Sequence, residues 1–484
     1  MFKHYKQIPL LAATLISFGL TSASPAFAQR VEGLYSENLE AASSFQVGLT
    51  LYNRSDFEGA EQALRRALQF DPFIPMAHYL LGNSLFQQGK TDLATDQYRR
   101  ALALDPNMAE AYYNLGLTMY RQGNVSEAIS QYQKALSIKP NLPEARYNMA
   151  LALESQGRTQ EALAEYNQAI ALNPNNVGAP YNMGLLYVRQ NQIEPAIAAF
   201  QQAVKLNPDL IEGHYQLGIL HARQGRWKEA EESLRTVSKL DPKFVQAQYQ
   251  LGMVLAERGD FEGAGDRFAW VANLEPNNVD VYRRLGAARL KTRQYQQAVT
   301  ALQTAVRLDP NDAMSRYNLG VGLQQSKQYP EALVQYQQAI LLNPNMPDAF
   351  FNLGVTLEQS QRRDEAMSFL LQAKSLYSFQ GNLQKVDEID QYMQKLAAQP
   401  TVPSVTQPLQ GPTMIPPRPI TPPPTVAPQQ PSSPRLTPLT QPPTMAPQQP
   451  NSSPPTPLTP PPKVAPQQPN LPRLVPFNQE RLNR

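Results

Sequence analysis

Cysteine is absent from all 484 residues. Its absence removes thiol nucleophiles, thiolate metal sites and disulfide staples from consideration. It leaves the compartment open, because oxidising environments permit disulfides without requiring them. Histidine is scarce, with four residues. His214 and His221 share one stretch but stand about 10 Å apart along a helix at 1.5 Å per residue, a gap one metal would not easily bridge. No HExxH, P-loop, dinucleotide fingerprint or nucleophile elbow occurs, and Ser, Asp and His form no catalytic arrangement. The reading is a non-enzymatic chain with no catalytic, cofactor-binding or metal residues.

A strong charge of one sign is also missing, since the net charge is +3. The charge is divided: residues 29–399 carry −4 and the tail from Pro400 carries +5. A mildly acidic body argues against nucleic acid, whose binding needs concentrated positive charge. Long apolar runs are lacking too. The longest, residues 8–20, falls short of the ~20 residues a membrane-spanning helix needs. Lys3 and Lys6 precede that run and Ala26-Phe27-Ala28 follows it, which reads as an export signal over residues 1–28. The expected location is the periplasm or cell envelope, or outside the cell, with no transmembrane segment after signal removal.

Proline is sparse until residue 399 and then dominates, with 28 of the 45 prolines in residues 400–484. "APQQP" recurs from Ala427, Ala446 and Ala465. Such composition favours extended polyproline II and is expected to be disordered. As a spacer it would need no partner. As a ligand it would suit an aromatic-lined groove, and its charge would suit an anionic cell-wall polymer.

What is abundant is repetition. Prolines stand every 34 residues from Pro72 through Pro106, Pro140 and onward to Pro344. Alanine keeps the same register from Ala60 to Ala366, and glycine from Gly48 to Gly354 with Ala150 as the one substitute. Ten units therefore fill residues 41–380, after a lead-in at 29–40. Each unit shows apolar residues at three- and four-residue intervals, which predicts two helices. Gly89, Gly123, Gly157, Asn191, Gly225 and Gly259 fall where the first helix would end in a left-handed residue. Glycine inside a helix costs about 1 kcal/mol relative to alanine, so its column predicts close backbone approach between paired helices. One pair cannot bury its apolar face alone, so neighbours must stack.

The 34-residue period, the "YNLG" openings, the Gly, Ala and Pro columns and the "ALALDPN" endings resemble the tetratricopeptide repeat. The resemblance implies an all-α superhelical solenoid of antiparallel helix pairs, whose concave groove, lined mainly by first helices, receives protein or peptide segments. Ser55, Arg293, Lys327 and Gln361 depart from the mid-unit glycine, and Ser378 from the final proline. Residues 381–399 read as a capping helix with a polar outer face. The lysine, arginine and asparagine pattern on successive first helices with which some relatives grip a terminal carboxylate is not expected here.

Two sets of residues stand out as contact candidates. On a helix turning 100° per residue, Asn182 of "YNMGLLY" lies away from the packing face, beside Arg189. Asn114, Asn148, Asn318 and Asn352 repeat that position. They are either scaffold or a ladder able to donate to and accept from a peptide backbone. The second set is a basic patch of Arg283, Arg284, Arg289 and Lys291, which would either receive an acidic segment or pair with Asp280 and neighbouring acids.

Overall fold

The computed structural model describes residues 38–398. The export signal, most of the lead-in and the proline-rich tail lie outside the described residues. These residues are helices joined by short turns, with no strand among them, and divide into two compact units, 38–213 and 214–398.

Unit 1 holds five helix pairs: α1 (Leu39–Asn53) with α2 (Phe57–Phe70), α3 (Pro75–Gln87) with α4 (Thr91–Leu104), α5 (Ala109–Arg121) with α6 (Val125–Ile138), α7 (Pro143–Ser155) with α8 (Thr159–Leu172), and α9 (Gly178–Arg189) with α10 (Ile193–Leu206). Next comes α11 (Ile211–Arg223), within which the unit boundary falls. Unit 2 continues with α12 (Trp227–Leu240), α13 (Val245–Glu257), α14 (Phe261–Leu274), α15 (Val279–Lys291), α16 (Tyr295–Leu308), α17 (Ala313–Gln325), α18 (Tyr329–Leu342), α19 (Pro347–Gln359), α20 (Arg363–Phe379) and α21 (Leu383–Ala398).

The turns follow from local chemistry. Within a pair, the first helix closes with a left-handed residue, and the next backbone N–H reaches back five residues. Lys90 N–H donates to Leu85 O, Asn124 to Met119, Gln328 to Leu323 and Arg362 to Leu357, each at 2.9 Å. Glycine supplies that conformation at Gly89, Gly123, Gly157, Gly225 and Gly259. Ser55, Asn191, Arg293, Lys327 and Gln361 adopt it with side chains, at φ between 56° and 62°. Between pairs, the Asp or Asn before the proline caps the turn: Asn107 N–H donates to Asp105 Oδ1 at 2.9 Å and Lys243 N–H to Asp241 Oδ1 at 2.9 Å. The intervening proline has no N–H to satisfy.

The glycine column has a more specific cause than backbone approach alone. A Cβ on Gly82 would stand 2.7 Å from the Tyr98 ring, on Gly184 2.7 Å from the Phe200 ring, and on Gly320 2.6 Å from the Tyr336 ring. Each glycine is therefore a socket for the large side chain sixteen residues later. Alanine backbone lies behind it, with the Ala128 carbonyl 3.1 Å from a Cβ on Gly116. The socketed residues Tyr98, Tyr132, Phe200, Phe268 and Tyr336 are among the largest fully buried side chains. Burying each contributes about 1.5–3 kcal/mol. Alanine column residues such as Ala60, Ala94, Ala298 and Ala366 are wholly buried beside them.

At the end of unit 2, α21 lays Ile389 and Leu396 against α20 and turns Asp387, Glu388, Gln391 and Lys395 outward. Lys374 on α20 pairs with Asp390 at 2.6 Å.

The first-helix layer as a candidate binding site

Within each unit the first helices of successive pairs touch one another, α3 with α5 and α5 with α7 in unit 1, and α15 with α17 and α17 with α19 in unit 2. They form one layer and the second helices the other. The side chains that bind this layer together lie 35 residues apart, one repeat plus one residue.

The first ladder uses the tyrosine of one repeat and the asparagine of the next. Asn114 Nδ2 donates to the Tyr79 hydroxyl at 3.2 Å, Asn148 to Tyr113 at 2.7 Å, Asn182 to Tyr147 at 3.0 Å and Asn352 to Tyr317 at 3.0 Å. Each of these tyrosines also stacks on an aromatic ring of its own second helix, as Tyr147 does on Tyr166 at 5.7 Å between centroids. Burial pushes the Tyr147 and Tyr317 hydroxyls up to about 12, although the asparagine donors pull the other way. The second ladder lies two turns further on. Arg121 stands over the Phe86 ring at 4.0 Å, Arg189 pairs with Glu154, and Gln324 Nε2 donates to Gln359 at 3.2 Å.

The structure thus places Asn114, Asn148, Asn182 and Asn352 at joints between first helices, with the side-chain amide donating to the scaffold, and Asn114 donates a second time, to Asn83 Oδ1 at 2.8 Å. Asn148 is wholly buried, and the others are half-exposed. Asn318 is half-exposed and follows Arg283, the one residue at the tyrosine position that is not aromatic. Arg189 is joined to Glu154, which also accepts from the Tyr166 hydroxyl at 2.8 Å.

The three arginines of the basic patch are paired within the chain. Arg283 and Arg284 both bond Asp280, the latter at 2.7 Å, and Arg283 also lies 3.9 Å from Asp312. Arg289 pairs with Asp266 at 2.7 Å, and Lys291 is exposed. Arg284 also stands over the Tyr249 ring at 5.6 Å, so it replaces the asparagine of the ladder with a cation–π contact. Burial alone would raise the Asp280 carboxyl, but donors from Tyr249, Arg284 and Arg283 outweigh it and hold it below its ordinary value. The Tyr249 hydroxyl is pushed up to about 12 by burial and by its bond to Asp280.

The sequence reading missed Tyr79, Tyr113, Tyr147 and Glu154 as the partners of the ladder residues, but it did offer Asp280 as a partner of the basic patch, and Arg283 and Arg284 bond it. The signal was present as two columns offset by one residue, but only stacking makes 35 residues a contact distance. Among the described residues no group of His, Asp and Glu is arranged to hold a metal, and no helix is long and apolar enough to cross a membrane.

Sequence profiles described as TPR repeat match residues 82–123, 120–157, 153–191, 184–225 and 322–361, and tetratricopeptide-repeat profiles match 215–271, 255–317 and 347–380. The chain is a tetratricopeptide-repeat protein. The helix pair α1 and α2 precedes the matched region and has the same turn chemistry. This fold is typically a non-catalytic protein-binding scaffold. Among solved structures, the array is similar to MamA from Desulfovibrio magneticus RS-1 at 26% identity over 35% of this chain and 96% of that one, with a TM-score of 0.34. A second MamA structure matches at 26% identity over 34% and 95%, with a TM-score of 0.33. Yeast Tom70 matches at 14% identity over 74% and 97%, with a TM-score of 0.31. No curated protein sequence matches the chain.

Proposed function

We propose that this tetratricopeptide-repeat protein is an exported, non-enzymatic scaffold whose first-helix layer binds protein segments and assembles complexes in the cell envelope. One observation carries the binding face. In unit 2 the residue after each column glycine is Ile219, Met253, Ala287, Val321 or Val355, and all five are half-exposed. A row of part-exposed apolar side chains at a fixed interval suits an extended or helical segment. Asn318 and Asn352 border it, as Asn114, Asn182 and Arg189 border the equivalent side of unit 1. Export rests on Lys3, Lys6, the apolar run and the Ala26-Phe27-Ala28 site.

Capture from envelope extracts by the mature chain, residues 29–484, tests the binding face. Val321→Asp with Val355→Asp should reduce captured protein at least tenfold while helicity is retained. Equal capture by both chains counts against the layer as the binding surface. Mass measurement of the mature N-terminus tests export, and Met1 retained on a cytoplasmic protein would overturn it.

A second reading follows from the +5 charge of the tail. The chain would then be an envelope spacer tethered to an anionic wall polymer. Deleting residues 400–484 should abolish envelope retention and leave capture intact, and unchanged retention rules the tether out.

A further inference from the structure

On each first helix the residue after the glycine lies about 100° from it. The ladder residues that meet the following first helix sit nearer the glycine and those that meet the preceding one sit further round. The residue after the glycine therefore marks the side that the two-layer stack leaves open. Unit 2 leaves all five of these residues half-exposed. In unit 1 the same register gives Leu49, Asn83, Leu117, Leu151 and Leu185. Asn83 is covered by its own bonds to Tyr98 and Asn114. Leu117 and Leu151 occupy the open side and are nonetheless 2% and 0% exposed in the full chain. Glu110, which pairs with Lys139 at 2.9 Å, and Glu144 lie on the same side, seven residues before these leucines, so arginines arriving there would share Glu110 with Lys139.

We propose that the chain's own C-terminal segment, residues 471–484, docks along this side of unit 1. The proposal rests on the first-helix layer being a segment-binding surface, and it names a resident occupant. The segment reads "LPRLVPFNQERLNR" and differs from the rest of the tail. It holds only Pro472 and Pro476, and its Phe477 is the sole aromatic residue after Pro400. Leu471, Leu474, Val475 and Phe477 match the leucine row, and Arg473, Arg481 and Arg484 match the acidic row. Charge favours this unit over the other: residues 38–213 hold 17 acids and 13 bases, whereas residues 214–398 hold 20 acids and 21 bases. Reach is no obstacle, since a coil the length of residues 399–470 has a root-mean-square span of about 45 Å, and proline extends it. Tethering makes docking intramolecular, so an incoming partner must displace the segment before it binds unit 1.

The cysteine-free chain allows a direct test in the mature protein. Thiol labelling of Leu151→Cys should quicken at least tenfold when Leu474→Ser and Phe477→Ser are added, while labelling of Val321→Cys in unit 2 stays the same. An unchanged Leu151→Cys rate overturns the docking. If Leu151→Cys does not fold, a labelled synthetic peptide of residues 470–484 decides the matter. It should bind the Leu474→Ser/Phe477→Ser chain more tightly than the unaltered chain and weaken as salt rises, and equal binding to both overturns the proposal. Exposure of Leu151→Cys on removal of residues 1–28, and not on the tail changes, assigns the cover to the leader and also overturns it. Partner capture is scored separately: capture with unchanged labelling sinks the docking alone, and lost capture with docking intact sinks the scaffold reading.

Discussion

Asn182 donates to the hydroxyl of Tyr147, 3.0 Å away and 35 residues earlier in the chain. The bond joins α9 to α7, and its counterparts join α3 to α5, α5 to α7 and α17 to α19. A net hydrogen bond of this kind contributes about 0.5–1.5 kcal/mol. A double-mutant cycle of Tyr147→Phe and Asn182→Ala should show coupling in that range by urea denaturation. Additive losses would mean that the pair is adjacent without being bonded.

Gly116 should resist the substitution that helix propensity favours. Alanine gains about 1 kcal/mol as a helix former. Its Cβ, however, would stand 2.8 Å from the Tyr132 ring and 3.1 Å from the Ala128 carbonyl. Overpacking of this sort costs about 1–3 kcal/mol. Gly116→Ala should therefore lower stability, by roughly 1 kcal/mol net. A rise in the urea midpoint would show that the socket can relax.

The opposite outcome holds at the turns. Lys327 and Gln361 sit at φ 61° and 62°, where an L side chain strains the backbone. Lys327→Gly or Gln361→Gly should stabilise unit 2 by about 1 kcal/mol, less the entropy glycine adds to the unfolded chain. Matched denaturation curves should move to higher urea, and a shift to lower urea would contradict the strain argument.

Asp280 ties acid stability to one joint. Because its folded carboxyl is held below the ordinary value, its contribution is present above about pH 3.9, the unfolded value. That contribution disappears as pH falls through the folded value. Asp280→Asn should destabilise unit 2 at pH 7, with the difference from the unaltered chain narrowing below pH 4. A difference that stays constant from pH 7 to pH 2.5 would rule out a charge-dependent role.

Much of the fold could be read along the chain. The glycine, alanine and proline columns mark every helix pair, because each marks a local event: a socket, a tight crossing or a turn without a donor. The turn glycines at Gly89 and Gly123 were legible for the same reason, and so was the left-handed Asn191. Lys327 and Gln361 were legible only as departures, because the backbone conformation there is imposed by the stacked helices on either side. The candidate site was less open to such reading. Asn182 looks free on a helical projection of its own repeat, and Tyr147 looks like core.

By itself the sequence determined the period, the helix pairs and their turns, because those depend on residues within 34 positions of one another. It also divided the charge between body and tail. Tertiary structure decided what the polar columns do. Stacking brings residues 35 apart within hydrogen-bond reach, so it turned Asn182 towards Tyr147 and spent Arg283, Arg284 and Arg289 on Asp280 and Asp266. Which side of a helix stays open depends on its neighbours, and only their packing could show that the residue after the glycine stays half-exposed at Val321 and Val355.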